Sequence, residues 1–408
     1  MKNTIYLILT LLLANFCNAQ TTTNPVYLFS SEIDAKLKID SISRNYQHYA
    51  VNYAIIGDYK NTLFVDELGV LKYKGLKKGK VAVDTNFFNY KPVNALNEIK
   101  QVSENHQIII INEAHYSSQN RIFTTQLLKE LYSKGFKTIF LEGLHPDKNK
   151  NHNKRKYALL TSGYYFSEPQ YGNLVRTAIK KGYTVLPYEH EQDKSIKNPL
   201  KRWYSREEGQ ADNILAFLKE NPKEKIIIHC GYGHLSEQIH EGEIVGNMAA
   251  IIKKKSGINP LTINQVDWLE TYSEKTANPY RVIIDRNPPK EISVFKNLNG
   301  KYFSTKPKNQ DINVYFPSTK YIINRPDWLF KSTGKRLITL PFSKINLEYP
   351  YLVFAHYENE DETIATPVDI IEIKNENDKK GLALEKGKYK LIIKNINGKF
   401  QKLSLKVN

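Results

Sequence analysis

The sequence predicts an α/β fold, with a mainly parallel sheet flanked by helices, a mixed N-terminal region before it and a β-rich C-terminal module after it. Three observations predict it. Short aliphatic runs such as Ile108–Ile111 and Ile226–Ile228 suit strands buried on both faces. Stretches with helical spacing alternate with those runs, which is the pattern of repeated βαβ units. After about Pro288 the alternation stops, and the chain ends in two extended stretches separated by Asn397-Gly398, a hairpin signal.

Each element follows in order. Ser31 to Tyr59 has helical spacing, with Ile33, Leu37, Ile39, Ile42 and Tyr46 among its apolar positions. Phe64 to Asp84 carries Gly69, Gly75 and Gly79 between short pieces, which predicts hairpins. Pro92 to Ser103 predicts a helix. Gln107 to Asn112 is the first buried strand. Arg121 to Lys134 is a helix with Phe123, Leu127, Leu128 and Leu131 on one side, and Gly135 stands where a C-cap is wanted. Lys137 to Leu141 is the second strand. Helix Tyr171–Lys181, closed by Gly182, leads to a third strand at Tyr183–Tyr188. Helix Ser205–Glu220 leads to a fourth at Lys225–His229. Helix Glu243–Lys255 precedes a fifth at Pro260–Asn264. These readings divide the chain into 1–19, 20–100, 101–287 and 288–408.

Residues 1–19 read as a secretory signal peptide. Lys2 supplies the positive end, Ile5 to Leu13 the apolar run, and Cys17-Asn18-Ala19 the small-residue pattern before Gln20. The expected location is therefore outside the cytoplasm: periplasm, outer envelope or secreted. Phe16 stands where a lipidation signal at Cys17 would want a small residue. Removal of the signal leaves Cys230 alone, so no intramolecular disulfide is expected and the fold rests on its hydrophobic core. The formal charge of +17 is spread over many lysines. An exported protein without a nucleic-acid motif reads better as a solvated basic surface, suited to an anionic envelope, than as a nucleic-acid binder. A small molecule or a peptide is the expected substrate class.

Sites in parallel α/β sheets form at the C-terminal ends of strands. The first strand runs into Glu113-Ala114-His115, with Arg121 opening the next helix. The second runs into Glu142-Gly143-Leu144-His145. The third ends at Tyr188-Glu189-His190-Glu191, and the fourth at His229-Cys230-Gly231-Tyr232-Gly233-His234. Four strand ends each deliver a Glu, a His or both. Singly, each has a plain structural explanation: a capped helix, a satisfied loop histidine, a packed tyrosine. Together they predict one polar cleft. Glu113, His115, Arg121, Glu142 and His234 are its expected catalytic set, with His145, Tyr188, Glu189 and His229 as supporting or substrate-binding residues. No Gly-x-Ser-x-Gly elbow, Walker loop, dinucleotide glycine fingerprint or His-Glu-x-x-His helix is present. Cys230 reads as a buried small residue.

The run Asn112-Glu113-Ala114-His115 with Arg121, the second-strand Glu142 and the late Gly231-Tyr232-Gly233-His234 resembles the erythromycin esterase-like family, within a broader superfamily that includes ChaN-type haem-binding proteins and Tiki-type proteases. The resemblance covers about residues 100–270. Arg206 with Gln210-Ala211 resembles that family's Arg-bearing helix. Asn112 departs from the usual Gly, and a left-handed backbone would let Asn substitute there. The resemblance implies a hydrolase in which His115 activates water, Glu113 and Glu142 orient it, Arg121 stabilises negative charge and His234 is a second acid or base. No cofactor is then expected. The alternatives it leaves open are a metal-dependent hydrolase or protease and a non-catalytic haem-binding envelope protein.

Overall fold

The computed structural model describes residues 27–40, 45–74, 83–147, 150–239, 246–331 and 333–408. The expected signal peptide and Cys17 lie outside those residues. Among the described residues, eight helices of eight residues or more organise the part of the chain that positions the site. They are α1 (Ser30–Ile39), α2 (Tyr46–Ile55), α3 (Tyr59–Lys74), α4 (Ala95–Val102), α5 (Ser118–Tyr132), α6 (Pro169–Lys181), α7 (Pro199–Glu220) and α8 (Met248–Ser256). The strands in the same stretch are β1 (Lys91–Asn94), β2 (Ile108–Glu113), β3 (Phe136–Leu141), β4 (Thr184–Pro187), β5 (Lys225–Gly231), β6 (Leu261–Asn264), β7 (Ser293–Lys296) and β8 (Ile312–Asn313).

The central sheet has six strands in the order β4-β3-β5-β2-β6-β8, and every neighbouring pair is parallel. All six residues of β2 are buried, as an interior strand with helices on both faces requires. Alternation along the strands sorts the two faces. Ile109, Ile111, Ile139 and Ile227 pack with Phe123, Leu127 and Leu128 of α5 and Leu174 and Val175 of α6. Ile108, Ile110, Ile226 and Ile228 pack with Ala211 and Ile214 of α7 and with Met248 and Ile252 of α8. The expected α/β sheet is therefore present. Its sixth strand, β8, lies beyond the boundary expected at residue 287. β7, also beyond it, pairs antiparallel with β1 from before residue 101.

One expected element is different. Phe64 to Lys74 belongs to helix α3 and not to a hairpin. Gly69 is not a turn residue: a Cβ there would lie 2.7 Å from the Tyr46 Cβ, so it is the point where α3 meets α2. The rest of the expected hairpin region, residues 75–82, lies outside the described residues.

The C-terminal module is β-rich, as expected. Strands β9 (Tyr351–Tyr357), β10 (Asp369–Ile373), β11 (Gly387–Asn395) and β12 (Phe400–Val407) form an antiparallel sheet in the order β10-β9-β11-β12. The β11–β12 hairpin closes through Asn397-Gly398, with Gly398 left-handed at φ +80°. The Gly398 N–H donates to the Asn395 carbonyl at 3.0 Å. That is a type I turn followed by a left-handed residue. The module is not a detached domain. Leu352, Phe354, Ile370 and Ala383 share one core with Ile33, Tyr53 and Leu63 of the first three helices and with Ala114, Tyr116 and Ile122 beside the sheet. Buried ion pairs reinforce the junctions: Arg325 with Asp369 at 2.6 Å, and Arg176 with Glu360 at 2.6 Å. No described helix is long and apolar enough to cross a membrane.

Candidate active site

The strand order decides which side chains can meet. β5 lies between β3 and β2, so Glu113 at the end of β2 and Glu142 just past β3 flank the end of β5 at Gly231. Each carboxylate is clamped by an arginine from the helix covering one face of the sheet.

Glu113 is buried and saturated. One oxygen accepts from Arg121 Nη2 at 2.6 Å and lies 3.1 Å from His115 Nδ1. The other accepts from Arg121 Nε at 2.7 Å and lies 2.8 Å from His229 Nε2. Burial alone would raise the Glu113 pKa, but the Arg121 guanidinium and the two histidine hydrogen bonds hold it well below the usual 4.5. An ionised carboxylate only accepts, so both histidines donate to it. His115 donates from Nδ1, which turns Nε2 away from Glu113. His229 donates from Nε2, and its Nδ1 accepts from the Thr124 hydroxyl at 3.2 Å. Arg121 is fully buried. It also donates to Glu168 at 2.9 Å and to the His115 carbonyl at 2.9 Å. Glu168 in turn caps α6, accepting from the Tyr171 N–H at 2.9 Å.

Glu142 repeats the plan on the other face. It accepts from Arg206 Nη2 of α7 at 3.0 Å and from the Gly231 N–H, and lies 3.2 Å from His234 Nε2. Arg206 also donates to Glu189 at 2.9 Å, and Glu189 accepts from the Gly143 N–H at 2.7 Å. His234 Nδ1 is 2.6 Å from Glu207, which is fully buried and accepts from the Met248 N–H at 2.8 Å. Burial presses the His234 pKa down, but the Glu207 and Glu142 carboxylates outweigh it and hold the pKa well above 6.5. Burial likewise opposes charge on Glu142, and His234 and Arg206 keep its pKa well below 4.5.

His115 links the two systems. A Cβ on Gly231 would lie 2.3 Å from His115 Cε1, 2.6 Å from Nε2 and 3.0 Å from Glu142 Oε2. The imidazole therefore fills the space that the missing side chain leaves, with its Nε2 edge on the side of Glu142. Tyr165 stacks on it with ring centres 4.1 Å apart, and Tyr232 meets it edge-on at 5.2 Å. The N-terminal helices roof this group. Gln47 of α2 donates to the Tyr232 hydroxyl, and the Tyr164 hydroxyl donates to Asn52 of α2 at 3.0 Å. The His115 side chain keeps 12% exposure beneath that roof.

Searches against protein-family models and against curated proteins return no match. Among solved structures, the chain is similar to the type III effector HopBA1, with TM-score 0.36 and 10% identity over 58% of this chain and 100% of that one. It is similar to RRSP, a MARTX toxin effector domain from Vibrio vulnificus CMCP6, with TM-score 0.31 and 17% identity over 57% of this chain and 45% of that one. It is also similar to the C-terminal region of Pasteurella multocida toxin, described as holding a thiol-protease-like catalytic triad. That match has TM-score 0.32 and 13% identity over 51% of this chain and 31% of that one. These likenesses are distant in sequence and in shape.

Of the sequence-predicted residues, Glu113, His115, Arg121, Glu142, Glu189, His229 and His234 come together. Two assigned roles do not fit the geometry. Arg121 is closed off by Glu113 and Glu168, so it braces Glu113 and has no free edge for a substrate oxyanion. His234 has a carboxylate at each ring nitrogen, so it serves as a fixed cation between them. Tyr188 packs with Phe140, Ala211 and Ile214 under the sheet, and the His145 backbone N–H donates to the Ser162 carbonyl at 2.9 Å. Asn112 is extended within β2 and not left-handed. Its amide donates to the Tyr232 carbonyl at 2.7 Å and its oxygen accepts from the Gln265 N–H at 2.7 Å. Cys230 faces the opposite core from His229, and burial pushes its thiol pKa up, which makes it inert. Among the described residues, no trio of His, Cys, Asp or Glu is arranged to hold a metal ion.

Sequence reading missed Glu168, Glu207, Tyr165 and Thr124. Glu168 had a signal, since an acidic residue directly before Pro169 is a helix-capping pattern. Glu207 had none: its neighbour Glu208 is exposed, and nothing in a single sequence separates the two.

Proposed function

We propose that the chain is a hydrolase of erythromycin esterase-like type, in which His115 activates water for attack on an ester or related carbonyl. The observation that carries this reading is the pairing of His115 Nδ1 with Glu113, which turns Nε2 away from that carboxylate and to the side of Glu142. In the proposed step, Nε2 takes a proton from water and the hydroxide oxygen bonds to the carbonyl carbon. The imidazolium that forms lies between two carboxylates, which lowers the cost of its charge. His115 then returns the proton to the departing oxygen as the carbon–oxygen bond breaks. Glu113 is a positioning residue, held by Arg121 and His229 so that it cannot turn away from the imidazole.

The test is hydrolysis of a panel of short-chain and aryl esters by the purified full chain, before and after treatment with a chelator. Turnover is expected to survive chelation. His115→Ala should lower it by about a hundredfold or more, the usual scale of general-base catalysis, with the melting temperature little changed. Glu113→Gln should lower kcat and alter its pH profile. Full ester turnover in His115→Ala would sink the reading. Turnover abolished by chelation and restored by a divalent ion would replace it with a metal-dependent one.

A further inference from the structure

A groove of about 890 Å³ runs between α5, α6 and the C-terminal module, apart from the carboxylate pair at the strand ends. Lys129, Lys156, Lys180, Lys181, Lys335 and Lys386 line it. Five of these are exposed. Lys335 is not: it is only 9% exposed, and its ammonium donates to the Gln170 amide oxygen at 2.9 Å. Among the described residues, no carboxylate lies within ion-pair distance of any of the six. The acidic residues on the same walls are mostly engaged: Glu360 is held by Arg176 and Glu130 by Lys100.

A buried ammonium whose hydrogen bond goes to a neutral amide is costly, because the carboxylates that act on it, Asp369, Glu385 and Glu168, stand beyond ion-pair distance and do not offset the loss of water. Burial lowers the Lys335 pKa, which is the same cost seen from the proton. Structural ion pairs elsewhere in the molecule are completed, as at Arg325–Asp369 and Arg176–Glu360. Lys335 is left incomplete in a concave space that five further lysines surround. We propose that this groove binds a small polyanion carrying several phosphate groups, with Lys335 donating to one of them and the exposed lysines neutralising the rest. The volume is that of a small-molecule site.

The probe is inorganic tripolyphosphate, titrated calorimetrically into the full chain at a constant ionic strength set with sodium chloride. One equivalent is expected to bind and to raise the melting temperature. Lys335→Met should weaken binding by about tenfold or more, the scale of one charge-assisted hydrogen bond. The ligand-free variant should melt no lower than the parent, since an uncompensated charge has been removed. Lys386→Glu, a substitution at an exposed position that spares the fold, should also weaken binding. Absence of saturable binding would overturn the proposal. So would binding that Lys335→Met and Lys386→Glu both leave unchanged, which would assign it to the basic surface at large. Esterase assays play no part in the readout, so its failure is separate from failure of the proposed function.

Discussion

Glu113, Glu142 and His234 stay charged inside the protein because each has more than one partner of opposite sign or a strong hydrogen-bond donor. That arrangement sets a pH dependence with two limbs. The two carboxyl groups have folded pKa values below the ordinary 4.5. Their contribution to stability is present above that value and is lost as pH falls through the folded values. His234 has a folded pKa above the ordinary 6.5. Its contribution is complete below 6.5 and is lost as pH rises through the raised value. Thermal unfolding across pH should therefore show a plateau with a fall on each side. Glu207→Gln removes the carboxylate at His234 Nδ1 and should start the alkaline fall at lower pH, leaving the acid side in place. An alkaline limb identical in the two proteins would refute this. At this scale the sequence was partly legible. Glu113, His115 and Arg121 are close along the chain, and their meeting could be read from spacing. The roles of Arg121 and His234 could not, because they depend on Glu168 and Glu207, which approach from other helices.

Gly231 ends β5 between the two carboxylate-bearing strands, and the site depends on its lack of a side chain. Its backbone is ordinary, at φ −86°, so a larger residue would meet no torsional obstacle. The obstacle is space. Gly231→Ala would place a methyl 2.3 Å from the His115 ring, so the imidazole must leave Glu113 or the strand end must move. We expect a loss of ester turnover close to that of His115→Ala, with stability lowered by about 1–3 kcal/mol, the usual cost of overpacking. Turnover equal to the parent's would show that His115 need not occupy that space. The strands around this point were legible because fully buried strands are written in isoleucine and valine. α3 was not. Its three-glycine neighbourhood imitates turn punctuation, and only the approach of Tyr46 explains why Gly69 sits within a helix. β8 was hidden by its length of two residues.

Across the whole molecule, the core does not respect the divisions that composition suggests. The change of pattern near Pro288 is real, yet β7 and β8 beyond it complete sheets begun earlier. The cluster around Tyr53 and Phe354 joins helices α1–α3 to the C-terminal module. Sequence periodicity reports what each segment buries, not which distant segment covers it, so this closure could not be read in advance. One consequence concerns the order in which the protein is made. The helices α1–α3 leave the ribosome before Leu352, Phe354, Ile370 and Ala383, which cover them. Until then the apolar faces of those helices have no lasting cover, and the roof over His115 has nothing to rest on. A chain stopped before Tyr351 should therefore expose α1–α3 to limited proteolysis at protease levels that leave the full chain intact. Equal resistance in the two would show that the helices find their fold without the last strands. If they do wait, the roof over His115 closes only once these later strands have been made.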